Sequence, residues 1–198
     1  MEQLSEEVCL SVIIPSYNNS KQLNELLNSI LSQKISDIEI IVVDDGSTIP
    51  LQINFDNKRL NIFRIENQGP SIARNYGASK AKGKYFLFLD SDVRLESNML
   101  AKILEICKGD KYEVISIYYS ETPANKGIAQ KFKALFDYYY LVHTNKNKYV
   151  YNLHGSSCIF KAETFFKMKG WNSEFKKASL ENEEFAARLL NSNIKIYS

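Results

Sequence analysis

Five nearly continuous apolar runs constrain this chain more than any other feature: LSVIIP at 10–15, IEIIVV at 38–43, LNIFRI at 60–65, KYFLFL at 84–89 and VISIYY at 114–119. A strand with one wet face alternates apolar and polar residues, whereas a continuous run suggests cover on both faces. That cover lies between the runs. Leu23, Leu26, Leu27, Ile30 and Leu31 follow the i, i+3, i+4, i+7, i+8 spacing of an amphipathic helix, with Asn19 or Ser20 as its N-cap. Pro70 suits the first position of a second helix ending near Gly83. Leu100, Ile103, Leu104 and Cys107 mark a third helix after a Ser97 cap. The order strand, helix, strand, strand, helix, strand, helix, strand predicts an α/β domain with a mostly parallel central sheet flanked by helices.

The same order says where function belongs. In open α/β sheets, ligands bind beyond the carboxyl ends of the strands. Three of the runs stop at polar or turn-forming clusters, PSYNNS, DDGST and DSD, which a parallel arrangement brings to one edge. The run Tyr85 to Leu89 ends on two carboxylates, Asp90 and Asp92. Such a pair offers hard oxygen ligands suited to Mg²⁺ or Mn²⁺. Read in isolation, the tripeptide favours the plainer role of shaping a turn or capping the following helix.

At 198 residues the chain is expected to form one domain. An apolar content of 44% and a charged content of 24% exclude a disordered class. Lys and Arg number 25 against 23 Asp and Glu, so the net charge of +2 gives no reason to invoke a nucleic-acid partner. The distribution is uneven: between residues 126 and 177 there are ten lysines and only Asp137, Glu163 and Glu174. Cys9, Cys107 and Cys158 form no C-x-x-C pair, which argues against a zinc site or disulfide scaffold and for a reducing compartment. The acidic N-terminus is unlike a signal peptide, and no apolar run reaches membrane-spanning length. The expectation is a cytoplasmic protein, compatible with peripheral contact at a membrane face.

Five blocks carry a resemblance: SVIIPSYNNSKQLNELLNSILSQ (11–33), EIIVVDDGST (39–48), NQGPSIARNYGASKAKGKYFLFLDSD (67–92), GSSCIFKAETFFKMKGW (155–171) and ENEEFAARL (181–189). In this order, over nearly the whole chain, they resemble the family 2 glycosyltransferases, inverting enzymes with the GT-A nucleotide-sugar fold. The resemblance implies a nucleotide-sugar-binding half over about 8–120 and an acceptor half over about 121–198. IKIYS at 194–198 reads as a strand rather than a domain end, so truncation of the acceptor half is expected. The implied donor is a nucleotide-diphosphate sugar, a UDP-sugar by preference. The implied acceptor is a polysaccharide or lipid-linked glycan of the bacterial cell surface.

By the same resemblance, Pro15 and Tyr17 line the base pocket, with Tyr17 stacking on the base. Asp45, together with Asp44, accepts hydrogen bonds from base or ribose, and Arg74 approaches the diphosphate. Asp92 is the direct metal ligand, while Asp90 binds ribose or a metal-bound water. The family's catalytic base is the Asp of a Glu-Asp pair, and the matching residues here are Glu181 and Asn182. An amide has no useful basicity, so Glu181 is expected to take the proton, with Glu183 as its substitute. Asn182 then orients an acceptor hydroxyl. The departure leaves open a nucleotide-sugar-binding relative impaired in turnover. A haloacid dehalogenase-type phosphatase, with Asp90 as nucleophile and Asp92 as acid-base, fits the tripeptide but leaves PSYNNS and ENEEF unexplained.

Several residues carry plainer expectations. Glu184 lies one turn before Arg188, the spacing of a structural ion pair. His143 and His154 have no partner at metal-ligand spacing, although His154 precedes the GSS block on the expected acceptor side. Ser156 and Ser157 do not form a G-x-S-x-G elbow. Trp171 suits a sugar-stacking role and a core role about equally. Ile128, Phe132, Leu135, Phe136 and Tyr139 make a helical stripe whose aromatic character is compatible with a lipid-linked acceptor.

Overall fold

The computed structural model describes residues 8–118, 127–128, 131–132, 135–136, 139, 149–175 and 180–198. Among these, one sheet holds β1 (Leu10–Ser16), β2 (Ile38–Asp45), β3 (Leu60–Ile65), β4 (Tyr85–Leu89), β5 (Val114–Ser116), β6 (Tyr149–Val150), β7 (Ser157–Lys161) and β8 (Ile196–Tyr197). The helices are α1 (Ser20–Leu31), α2 (Pro70–Lys80), α3 (Met99–Lys108), α4 (Ala162–Lys167) and α5 (Glu181–Asn191). The strand order is β3-β2-β1-β4-β7-β5-β8-β6. β3, β2, β1 and β4 run parallel, β7 enters antiparallel between β4 and β5, β8 is parallel to β5, and β6 closes the edge antiparallel to β8.

The runs of β1, β2 and β4 are buried throughout because successive side chains serve two different cores, whereas β3, at the sheet edge, lacks the expected cover on both faces and leaves Ile62 49% exposed. Tyr85, Leu87 and Leu89 pack with Val12, Ile14, Val42 and the apolar stripes of α1 and α3. Phe86 and Phe88 point the other way, into a layer with Ile13, Val43, Phe160, Phe165, Trp171 and Phe185. All five β4 side chains are buried, and each contributes on the order of 1.5–3 kcal/mol by leaving water. The aromatic layer adds edge contacts, Phe88 to Trp171 at 4.6 Å and Phe86 to Phe165 at 5.7 Å.

Local differences from the sequence expectation have identifiable causes. α2 stops at Lys80 rather than near Gly83 because the Lys82 and Gly83 N–H groups are drawn to Glu39 and Ser11 side chains, at 2.6 and 2.8 Å. Asn19 sits at the N-cap position of α1 without capping it; its amide donates instead to Ser91 Oγ at 2.9 Å. The cap position of α3 falls on Asn98, at φ 66°, one residue after the expected Ser97, and the side-chain oxygen of Gln33, just past α1, accepts the Leu100 N–H at 3.0 Å. β5 ends at Ser116, and the rest of VISIYY reaches Tyr119, outside the described residues. IKIYS does supply a strand, and β7 was hidden because only Cys158, Ile159 and Phe160 give its sequence an apolar core.

Candidate active site

The carboxyl ends of β1, β2 and β4 meet at a cleft of about 480 Å³ whose lining includes Pro15, Tyr17, Asp45, Arg74, Asp90 and Asp92. Pro15 and Asp45 stand at the carboxyl ends of β1 and β2, Tyr17, Asp90 and Asp92 follow β1 and β4 in their loops, and Arg74 comes from α2. Pro15 is buried in the floor and Tyr17 stands at the lip, 47% exposed.

Two loops are fastened to each other before any ligand is considered. Asn18 donates its N–H to Ser47 Oγ at 2.9 Å, and its side-chain oxygen accepts the Thr48 N–H at 2.9 Å and hydroxyl at 3.0 Å. Between them Gly46 takes φ +69°, and a Cβ there would fall 2.5 Å from the Asn67 nitrogen. Only glycine meets both conditions. Asn67 in turn donates to the Asp45 carbonyl at 2.8 Å.

Strand alternation separates the two neighbouring aspartates. Asp44 faces away from the cleft: one oxygen accepts the Ser47 N–H at 2.9 Å and the other pairs with Arg64 of β3 at 2.9 Å. Arg64 also donates to the Ser47 carbonyl at 2.6 Å. Asp44 therefore shapes the turn, and among the cleft-lining residues only Asp45 of the pair is present. Asp45 accepts the Gln68 and Gly69 N–H groups, each at 2.9 Å, which holds the start of α2 against the cleft. A carboxylate with an oxygen on each of two backbone donors is rigid and keeps spare lone pairs for a ligand.

Asp90 continues the alternation of Phe86 and Phe88 and so leans toward α2, where its Oδ1 accepts from Arg74 Nη2 at 2.8 Å. Its backbone N–H is fixed by the Ser156 carbonyl at 3.0 Å. Burial pushes the Asp90 carboxyl above its ordinary value, Arg74 opposes the rise, and the charges of Asp92 and Glu181 add to it. Asp92 is exposed in the cleft. No group of three or more His, Cys, Asp or Glu side chains converges among the described residues. Two carboxylates, one facing solvent, fit a hard divalent cation that keeps waters and takes phosphate oxygens from a ligand; they do not form an all-protein cage.

Behind Asp90 lies a buried polar cluster that the sequence does not show as a unit. Arg74 is 3% exposed and Glu181 2%, with Arg74 Nη1 3.7 Å from Glu181 Oε1. Arg74 Nε and Nη1 have no hydrogen-bond partner at normal distance, and the guanidinium lies 5.2 Å from the Trp171 ring centre. Trp171 Nε1 donates to Asn182 Oδ1 at 3.1 Å, and Asn182 Nδ2 approaches Glu181 Oε1 at 3.5 Å. Gly155 packs against the Asn182 amide so closely that any side chain there would overlap it. The cluster brings Glu181 and Asn182 next to Asp90. Glu183 is exposed, about half a turn further round α5.

Trp171 is a core residue, 1% exposed, clamped by Asn75 through its own backbone N–H and carbonyl at 3.0 and 2.8 Å. Phe88, Phe160, Phe165 and Phe185 surround its ring and leave no open face for a sugar. Glu184 and Arg188 pair at 2.5 and 2.9 Å, and Arg188 also binds the Met168 and Gly170 carbonyls. Ser157 donates to the Ile117 carbonyl at 2.8 Å, a structural use. His154 lies against Tyr118, ring centres 4.5 Å apart, just before the Ser156 that fixes Asp90. His143 lies outside the described residues. Asn18, Arg64 and Asn67 were missed by sequence reasoning; the turn-forming pairs around Gly46 and Gly69 were the available signal.

The Glycosyl transferase family 2 model matches residues 11–167. The minor teichoic acid biosynthesis protein GgaA of Bacillus subtilis is 36% identical over 124 residues, 56% of this chain and 28% of GgaA. Among solved structures, S. aureus TarS in complex with UDP-GlcNAc superposes with a TM-score of 0.67 at 24% identity, over 96% of this chain and 56% of TarS. The mannosyltransferase PcManGT from Pyrobaculum calidifontis, in complex with GDP-Man and Mn²⁺, gives 0.69 at 17% identity, over 96% and 54%. This chain thus spans well under two thirds of these longer proteins, and the likeness to the two structures establishes the GT-A fold. With four fifths of its length inside the family match, the chain belongs to glycosyl transferase family 2.

Proposed function

We propose that this chain is the donor-binding and catalytic part of an inverting glycosyltransferase that moves a sugar from a nucleoside-diphosphate sugar, by preference a UDP-sugar. The observation that carries the reading is one cleft lined together by Tyr17, Asp45, Arg74, Asp90 and Asp92. Tyr17 at the lip offers a ring to the base, and Asp45 offers rigid acceptors to base or ribose. Arg74 supplies the positive charge beside the diphosphate. Mg²⁺ or Mn²⁺ held by Asp92, with Asp90 beside it, would neutralise charge on the departing diphosphate. The complexes of TarS with UDP-GlcNAc and of PcManGT with GDP-Man and Mn²⁺ support this donor class.

In the transfer, the acceptor hydroxyl oxygen bonds to the anomeric carbon while the bond from that carbon to the diphosphate oxygen breaks. Glu181 takes the hydroxyl proton in this proposal, because Asn182 is not basic and Glu183 is exposed away from the cluster. Asn182, held by the Trp171 indole, fixes the Glu181 carboxylate and orients the acceptor. The acceptor is a polysaccharide or lipid-linked glycan handled at the cytoplasmic side; the teichoic acid role in the name of GgaA supports a cell-surface polymer. Among the described residues, no helix is long and apolar enough to cross a membrane.

One observation favours a second reading, a protein that binds the donor but transfers poorly: Glu181 is 2% exposed and faces Arg74. Release of UDP from UDP-sugars, measured alongside donor binding, separates the two. Transfer predicts UDP release that Glu181→Gln abolishes while donor affinity stays within about threefold. Binding without release establishes the second reading. The phosphatase alternative has no structural support, since Asp90 Oδ1 is engaged by Arg74 and the two acids follow the fourth strand, not the first.

A further inference from the structure

We propose that Ile128, Phe132, Leu135, Phe136 and Tyr139 form a docking surface for an anionic lipid bilayer. These residues are helical, spaced by four, three, one and three, and therefore share one face. Each is between 54% and 89% exposed. Phe132 and Phe136 stack with ring centres 6.2 Å apart, so two large side chains associate with each other while both remain in water. Five large apolar side chains left in water on one face mark an interaction surface.

Charge identifies the occupant. Lys131, exposed, borders the stripe, and the segment from 126 to 177 carries ten lysines against three acids. The centre of a protein–protein interface is depleted in lysine. Aromatic and aliphatic residues on one face with lysines beside them suit the headgroup boundary, where the rings enter the acyl edge and the ammonium groups meet lipid phosphates. The proposed contact is a peripheral one, made by this exposed face. It would bring the cleft to a lipid-linked acceptor, but the surface does not depend on transfer taking place.

The test is co-sedimentation of the whole chain with vesicles of phosphatidylcholine alone and vesicles also carrying phosphatidylglycerol. UDP titration of each variant serves as the control for folding. The wild-type chain is expected to bind the anionic vesicles about tenfold or more tightly than the neutral ones, and raised salt should weaken that binding. Phe132→Ser with Phe136→Ser should lower binding about tenfold, and Lys131→Glu should reduce the preference for phosphatidylglycerol, both with UDP affinity unchanged. Absence of vesicle binding, or binding equal in the double variant, overturns the proposal. So does a wild-type dimer that the double variant converts to a monomer without any vesicle binding, which assigns the face to a second copy of this chain. Failure of UDP binding in the wild-type chain would instead count against the donor cleft and leave the lipid result to stand by itself.

Discussion

Replacing Arg74 by Met tests whether the buried cluster behind Asp90 is held together by charge. The guanidinium is 3% exposed and lies 2.8 Å from Asp90 and 3.7 Å from Glu181. Removing one member of a buried pair costs about 3–5 kcal/mol because the partner stays charged in a poorly solvated site. Two features reduce that figure here. The Asp90 side chain is 34% exposed and recovers some hydration. The unpartnered Nε and Nη1 of Arg74 also disappear, relieving about 1–3 kcal/mol of unsatisfied burial. The net expectation is a loss of about 1–3 kcal/mol, read as a shift in the urea midpoint with unchanged slope. Arg74→Met combined with Glu181→Gln should restore at least about 1 kcal/mol of that loss, because the stranded buried carboxylate is gone. A single variant within about 0.5 kcal/mol of wild type, or a double variant showing simple additivity, would refute the charge-pair reasoning.

Gly46→Ala, strained at φ +69° and colliding with the Asn67 backbone, should cost about 1–3 kcal/mol and weaken UDP binding, both measurable in one titration series. Lys84, Tyr85 and Lys161 hold the Asp110 carboxyl well below its ordinary value of 3.8. The folded state thus binds that proton less readily than the unfolded chain. The resulting stabilisation is fully present above the ordinary value and declines as pH falls below it, so Asp110→Asn should flatten the acid limb of a stability–pH curve. Burial pushes the Cys107 thiol up to about 12; it should resist alkylation at neutral pH in the folded chain and react only on unfolding, and rapid native labelling would contradict that placement.

β1, β2 and β4 were legible because each apolar run is long enough to fill two cores, while LNIFRI gave the strand β3 but not its half-exposed place at the sheet edge. The cleft followed from strand polarity alone: three polar clusters after parallel strands must share an edge. Contacts among long-range polar groups were not legible. Nothing in DDGST says that Asp44 turns toward Arg64 while Asp45 turns toward α2; that depends on the register of β2 against β3. Asn19 reads as a helix cap in sequence, yet its stronger use is the bond to Ser91, 72 residues away. Trp171 looked equally suited to sugar and core until Phe88, Phe160, Phe165 and Phe185 were seen around it. Glu181 was recognisable as a site residue, but its burial against Arg74 requires α5 and α2 to meet on the same face of the sheet.

Calorimetric titration of UDP into the wild-type chain and Asp92→Ala, each with Mn²⁺ and with chelator, tests the donor cleft most directly. Wild-type binding should be at least tenfold tighter with Mn²⁺, and the substitution should remove that gain while leaving the weaker metal-free binding in place. Equal affinity of both proteins with Mn²⁺, or no UDP binding by the wild-type chain, would contradict the assignment of Asp92 and of the cleft.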